Sequence, residues 1–88
     1  MRYDQDTQET VFDTYAGAAV QALASELLAD SGMLVRIARE RAFAIGLVQY
    51  GDKTFHLSQL DLETEVAHEL ADAVFYTTVL LAKKAGNL

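Results

Sequence analysis

Proline is missing from all 88 residues, so nothing in this chain breaks a helix from within. Glycines supply the punctuation instead. Ser31-Gly32, Tyr50-Gly51-Asp52-Lys53 and Gly86-Asn87 each close a stretch with helical spacing of apolar residues. The spacing predicts helices over about residues 9–30, 33–49 and 58–85, with residues 1–8 as a flexible N-terminus and 9–88 as one helical domain. The expected fold class is all-α, a helical bundle completed by oligomerisation.

In the first helix, Phe12, Ala16, Ala19, Val20, Leu23 and Leu27 make one apolar stripe. Ala16-Gly17-Ala18-Ala19 has almost no side-chain bulk, which would let another helix approach closely, and gives Gly17 a packing rationale. The second helix carries Leu34, Ile37, Ile45 and Val48 on one stripe, with Phe43, Leu47 and Tyr50 on another side. Ser58 is the expected N-cap of the third helix, with Asp61 three residues on and a Leu57/Leu62 staple. Leu62, Val66, Leu70, Ala73, Thr77 and Leu81 should face inward. Beyond Asp72 this helix is apolar nearly all round, more than two short neighbours can cover. The expectation is therefore an antiparallel pairing of the second and third helices, completed by a homodimer.

Composition limits the function classes. Half of the residues are apolar (51%), enough for a core in a single small domain. The net charge of −6 argues against DNA, RNA or an anionic membrane as partner. There is no cysteine, hence no disulfide framework and no thiolate metal site. The first ten residues carry acids where a signal peptide carries bases, and the longest apolar run, residues 73–82, is too short to span a bilayer. A soluble, cytoplasmic protein is the expectation.

The chemistry lies on the third helix. At about 100° per residue, Asp61, Glu65, Glu69 and Asp72 fall within roughly an 80° wedge. Like charges at i,i+4 cost an isolated helix about 0.2–0.5 kcal/mol per pair, so something should offset the row. Asp61 is accounted for by the helix dipole, whereas Glu69 and Asp72 lie two to three turns in and gain little from it. Water or ion pairs with Arg36, Arg39 or Lys53 would account for the rest. The alternative is a Mg²⁺ or Mn²⁺ ion held by Glu65, Glu69 and Asp72, because hard cations take oxygen ligands.

The segment Glu65-Val-Ala-His-Glu69-Leu-Ala-Asp72-Ala-Val-Phe-Tyr76 resembles the metal-binding helix of the MazG-like, all-α nucleoside triphosphate pyrophosphohydrolases, with its Glu-x-x-Asp motif followed by an aromatic residue. Tyr50-Gly51-Asp52 leading into a polar loop is similar to short phage and actinobacterial members. The resemblance spans about residues 39–83. It implies a Mg²⁺-dependent, dimeric or tetrameric enzyme that cleaves nucleotides to monophosphate and pyrophosphate. Glu69 and Asp72 would be metal ligands and Glu65 an accessory ligand. The family's preceding Glu-x-x-Glu pair is absent: Glu40 is followed by Phe43 at that spacing, and Glu26 by Ala29, with Asp30 one step further. Either Glu26 and Asp30 substitute or the cage is half-built.

Arg41 interrupts the apolar stripe of the second helix. Buried there, it needs an anion: Glu69 or Asp72 as a structural ion pair, favoured here, or a substrate phosphate, which a guanidinium grips in bidentate fashion. Lys53 and His56 in the following loop could touch a phosphate. His68 reads as a helix-surface residue. Tyr76, one turn past Asp72, could stack a base, although aromatics at this spacing more often fill cores. Two functions remain open: a MazG-like pyrophosphohydrolase or reduced relative, acting on nucleotides as a homo-oligomer, and a non-catalytic helical module that binds itself or a host protein.

Overall fold

The first helix begins where a carboxylate takes up one of its free amides. Asp4 is extended (φ −74°, ψ 170°) and its Oδ1 accepts the Thr7 N–H at 2.8 Å. The computed structural model describes residues 3–27 and 30–88, apart from the side chains of Glu26 and Leu27. Helix α1 (Gln5–Ala22) runs on into a π-helical stretch, Leu23–Leu27. Its first turn is built from residues that periodicity placed in a flexible N-terminus, because the Asp4 cap is a polar signal that an apolar stripe does not register. Met1 and Arg2 lie outside the described residues.

Asp30 caps α2, accepting the Met33 N–H at 3.0 Å. Ser31-Gly32 thus opens the second helix rather than closing the first. Helix α2 is α-helical over Ser31–Glu40, π-helical over Arg41–Gly46 and α-helical again over Leu47–Tyr50. In the π stretch the Leu47 N–H donates to the Ala42 carbonyl, five residues back. A widened turn absorbs one extra residue, so the rest of the helix is rotated by about 100°. Ile45 and Val48 therefore leave the stripe that Leu34 and Ile37 begin. Gly51, at φ +61°, ends α2 in a conformation that L side chains rarely adopt.

A short 3₁₀ turn, Lys53–His56, leads to Ser58, which caps α3 (Gln59–Lys84). The Asp61 N–H donates to Ser58 Oγ at 3.1 Å, as the capping pattern predicts. The helix closes in a Schellman motif: Gly86 at φ +79° donates to the Lys83 carbonyl (3.1 Å) and Asn87 N–H to the Ala82 carbonyl (2.9 Å). The described residues contain no strand, and the fold is all-α.

The core is a seam of small side chains between α1 and the C-terminal half of α3. Ala19 and Ala82 are 0% exposed, and Thr77 and Thr78 are buried beside them. Thr78 satisfies its hydroxyl by donating to the Val74 carbonyl at 2.7 Å. Phe12 stacks on Phe75 with ring centroids 6.2 Å apart, and Asn87 hydrogen-bonds Tyr15 Oη. The inward face expected of α3 is covered at Ala73, Thr77 and Leu81 but open at Leu62, Val66 and Leu70.

The antiparallel pairing of the second helix with the third is not made within one chain. Helix α2 has no packed interface with α1 or α3, and none of its residues is buried. An apolar stripe states that a face needs cover, not which neighbour covers it. Here α1 takes α3, because both present small residues that let backbones approach. Gly17 takes no part in that approach: it is exposed, and an added Cβ would meet nothing within 4 Å.

The chain is consequently open. Its Cα radius of gyration is 16.0 Å, against about 12 Å for a compact chain of this length. It exposes 7318 Å², against about 5,100 Å² for a compact 9.7 kDa monomer.

Substitutions at the seam and at the first cap should respond accordingly. Gly17→Ala should raise stability in urea unfolding by up to about 1 kcal/mol, since it gains helix propensity without a clash. Ala82→Leu should lower it by about 1–3 kcal/mol, because the seam has no room for a larger side chain. The Asp4 carboxyl is held below its usual range by the Thr7 backbone N–H and then by the Thr7 hydroxyl. Its depressed folded value means that the cap's contribution is full above the ordinary aspartate range and is lost as pH falls through the folded value. Carboxyl NMR titration should place Asp4 below free aspartate, with the Thr7 amide shifting in step.

Candidate acidic face on the third helix

The seam with α1 sets the rotation of α3, and that rotation puts the acidic row opposite α1. Positions 73, 74, 77, 78, 81 and 82 turn toward the seam, and at about 100° per residue Asp61, Glu65, Glu69 and Asp72 point roughly the other way. All four are exposed. Leu62, Val66 and Leu70 lie beside them and are exposed too, Val66 to 59%. The face is thus a strip of carboxylates edged by a strip of aliphatic side chains.

No cation among the described residues meets these carboxylates. Among the described residues, the ion pair present is His56 Nε2 with Asp52 Oδ2 at 2.9 Å, in the turn after α2. Arg41 opens the π stretch of α2; it is exposed and makes no ion pair with Glu69 or Asp72. The structural pairing expected of Arg41 is therefore not made inside one chain, for the same reason that α2 and α3 do not pack. Lys53 is exposed at the start of the 3₁₀ turn and is likewise unpaired. Arg39 lies 5.4 Å from the centre of the Phe43 ring, an i,i+4 cation–π contact within α2.

The alternative second acidic pair, Glu26 with Asp30, falls partly outside the described residues. Asp30 spends its Oδ1 on the Met33 amide, and the Glu26 side chain and Ala29 lie outside the described residues. Among the described residues, no group of three or more Asp, Glu or His side chains converges as a closed metal cage requires. His68 is exposed, as a helix-surface histidine should be, and Tyr76 is exposed rather than part of the core.

Two features are not evident from the sequence alone. Asp52 and His56 pair across one turn, an i,i+4 relation visible in the sequence only once the loop is known to coil. Phe43, Leu47, Tyr50 and Phe55 line an apolar cleft of about 290 Å³ between the end of α2 and the 3₁₀ turn. Helical spacing already sets Phe43, Leu47 and Tyr50 on one side; what it does not give is the 3₁₀ turn that brings Phe55 to them. None of the acidic row lines the cleft, so a ligand of Glu65, Glu69 and Asp72 would rest on an open helix face.

Among the described residues, no helix is long and apolar enough to cross a membrane. Comparison of the chain with protein-family models, with curated proteins and with solved structures finds no match in any of the three.

The unpaired row has an electrostatic consequence. In chelator at low salt, and dilute enough that copies do not associate, Glu69→Gln should stabilise the protein by about 0.2–0.5 kcal/mol for each like-charge neighbour relieved. The gain should fade at high salt. A loss of stability in thermal unfolding would mean instead that Glu69 has a cationic partner in solution.

Proposed function

We propose that the acidic face binds Mg²⁺ or Mn²⁺ together with the phosphates of a nucleotide, and that the protein is a MazG-like nucleoside triphosphate pyrophosphohydrolase or a reduced relative of one. The observation that carries this reading is the uncommitted state of Glu65, Glu69 and Asp72: exposed, on one face, and neutralised by no arginine or lysine among the described residues. An Arg41 seated on Glu69 would leave that carboxylate fewer lone pairs for an ion.

The donor set fits an open site rather than a closed cage. Mg²⁺ is commonly held by one or two carboxylates, with waters and substrate phosphates completing the shell. Glu69 and Asp72, at i,i+3, would be the protein ligands and Glu65 the accessory one. The bound cation supplies positive charge to the phosphoryl oxygens and eases deprotonation of water. Arg41 and Lys53 would grip the phosphate chain, Arg41 through its planar fork. Tyr76, exposed one turn beyond Asp72, offers a face on which a base can stack. The net reaction consumes one water and gives monophosphate and pyrophosphate.

A second reading, a non-catalytic helical interaction module, is favoured by the apolar surface of α2, where Val48 is 83% exposed. There the acids would only keep the chain soluble, and the bound partner would be a host protein or another copy.

Thermal unfolding with added Mn²⁺ or Mg²⁺, with and without a non-hydrolysable nucleotide, separates the two. A ligand at 100 times its Kd stabilises by about 2.7 kcal/mol. The metal reading expects an upward shift that Glu69→Gln/Asp72→Asn abolishes, and pyrophosphate release from a nucleoside triphosphate. No shift with millimolar metal and nucleotide together, or an equal shift in the double variant, would overturn it.

A further inference from the structure

We infer that the open side of the molecule is a self-complementary interface: α2 of one copy packs on the N-terminal half of α3 of a second copy, and the reverse, about a two-fold axis. The area argument comes first. The chain exposes about 2,200 Å² more than a compact monomer of its mass would. A standard interface buries about 800 Å² per partner, and obligate homodimers bury more. The surplus is therefore of the size an obligate dimer removes, and much more than scattered surface side chains account for.

Its location is specific. What burial the chain has lies between α1 and α3 beyond Asp72, where Val20, Phe75 and Leu80 nevertheless stay partly open. On the other side, α2 exposes Val35, Ile37, Phe43, Leu47 and Val48, and α3 exposes Leu62, Val66 and Leu70. The apolar side chains of α2, which lie on more than one side of it, cannot meet those of α3 within one chain as folded, because α2 does not lie on α3. A two-fold axis solves this, since it needs one surface that carries both halves of the contact, and α2 with the start of α3 is such a surface.

Charge points to the same arrangement. Helix α2 carries Arg36, Arg39 and Arg41, while Asp61, Glu63, Glu65, Glu69 and Asp72 lie on the facing half of α3. Apart from Arg39 on Phe43, these groups have no charged or aromatic partner among the described residues. Arg41 sits among apolar residues, so covering α2 buries its guanidinium unless an anion comes with the cover. With the helices antiparallel and their open halves centred on each other, Arg41 falls level with Val66. Glu65 and Glu69 edge that position. A second copy thus brings both the aliphatic cover and the counter-charge, and a neutral or basic partner would bring only the first.

The inference does not rest on metal binding, and its test is run in chelator so that the two fail separately. Sedimentation of the whole chain should give a dimer. Arg41→Glu should weaken association at least about tenfold, and adding Glu69→Arg should restore most of it, as for a close interfacial charge pair. Val66→Glu should leave monomers. Because the chain has no cysteine, introduced thiols report position even if a charge variant misfolds. Ile37→Cys mixed with Leu70→Cys should cross-link to each other faster than either does to itself. A monomer at all concentrations up to about millimolar would overturn the proposal. So would a dimer indifferent to Arg41→Glu and Val66→Glu, or thiols that only self-couple.

Discussion

The seam of small residues where α1 meets α3 sets the geometry of the whole molecule. Ala19 and Ala82 are wholly buried, with Thr77 and Thr78 beside them, and backbones that approach over such residues gain dispersion contacts along their length rather than from a few large anchors. Thr78 can be buried only because its hydroxyl returns to the Val74 carbonyl. The seam fixes the rotation of α3, and by that alone it decides that the acidic row points away from α1. It also commits α1 to the C-terminal half of α3. The aliphatic strip at Leu62, Val66 and Leu70 is left over.

What was legible in the sequence was what is local. The Ser58 cap, the glycine stop at Gly51 and the Schellman ending at Gly86 are each determined by a few adjacent residues, and each was readable. The Asp4 and Asp30 caps are equally local but were missed: an aspartate in a polar stretch gives no contrast until the helix it opens is known. The partner of each apolar face was not legible. Helical spacing correctly gave Ala73, Thr77 and Leu81 as inward, yet the same stripe gave Leu62, Val66 and Leu70, which are open. Covering depends on where a second helix lies, and that comes from the match between α1 and α3 rather than from either pattern alone. The π stretch at Arg41–Gly46 was invisible to any argument at 3.6 residues per turn.

The candidate site shows the same division. The acids were found because their one-sidedness is a property of a single helix. The relation of Arg41 to them was misread because it is a property of two helices, which do not meet in one chain. An ion pair expected from sequence requires both a complementary charge and a packed interface to hold it. Here the first condition is met and the second is not, which leaves three carboxylates open to a cation and an arginine open to an anion.

That leaves one constraint joining the two proposals. A carboxylate that coordinates a divalent ion has fewer lone pairs for a guanidinium, and a guanidinium seated on Glu69 screens that carboxylate from the ion. On the proposed dimer, an ion entering the row displaces Arg41 of the second copy from its counter-charge inside an apolar contact, where an unpaired charge costs several kcal/mol. A phosphate removes the conflict, because its oxygens can face the ion and the arginine at once. Metal alone should then bind weakly and loosen the dimer, whereas metal with a phosphate ester should bind more tightly and leave it intact. Sedimentation with Mn²⁺ alone, with inorganic triphosphate alone and with both would show it. Equal dimer affinity in all three conditions would mean that Arg41 and the acidic row do not share an interface.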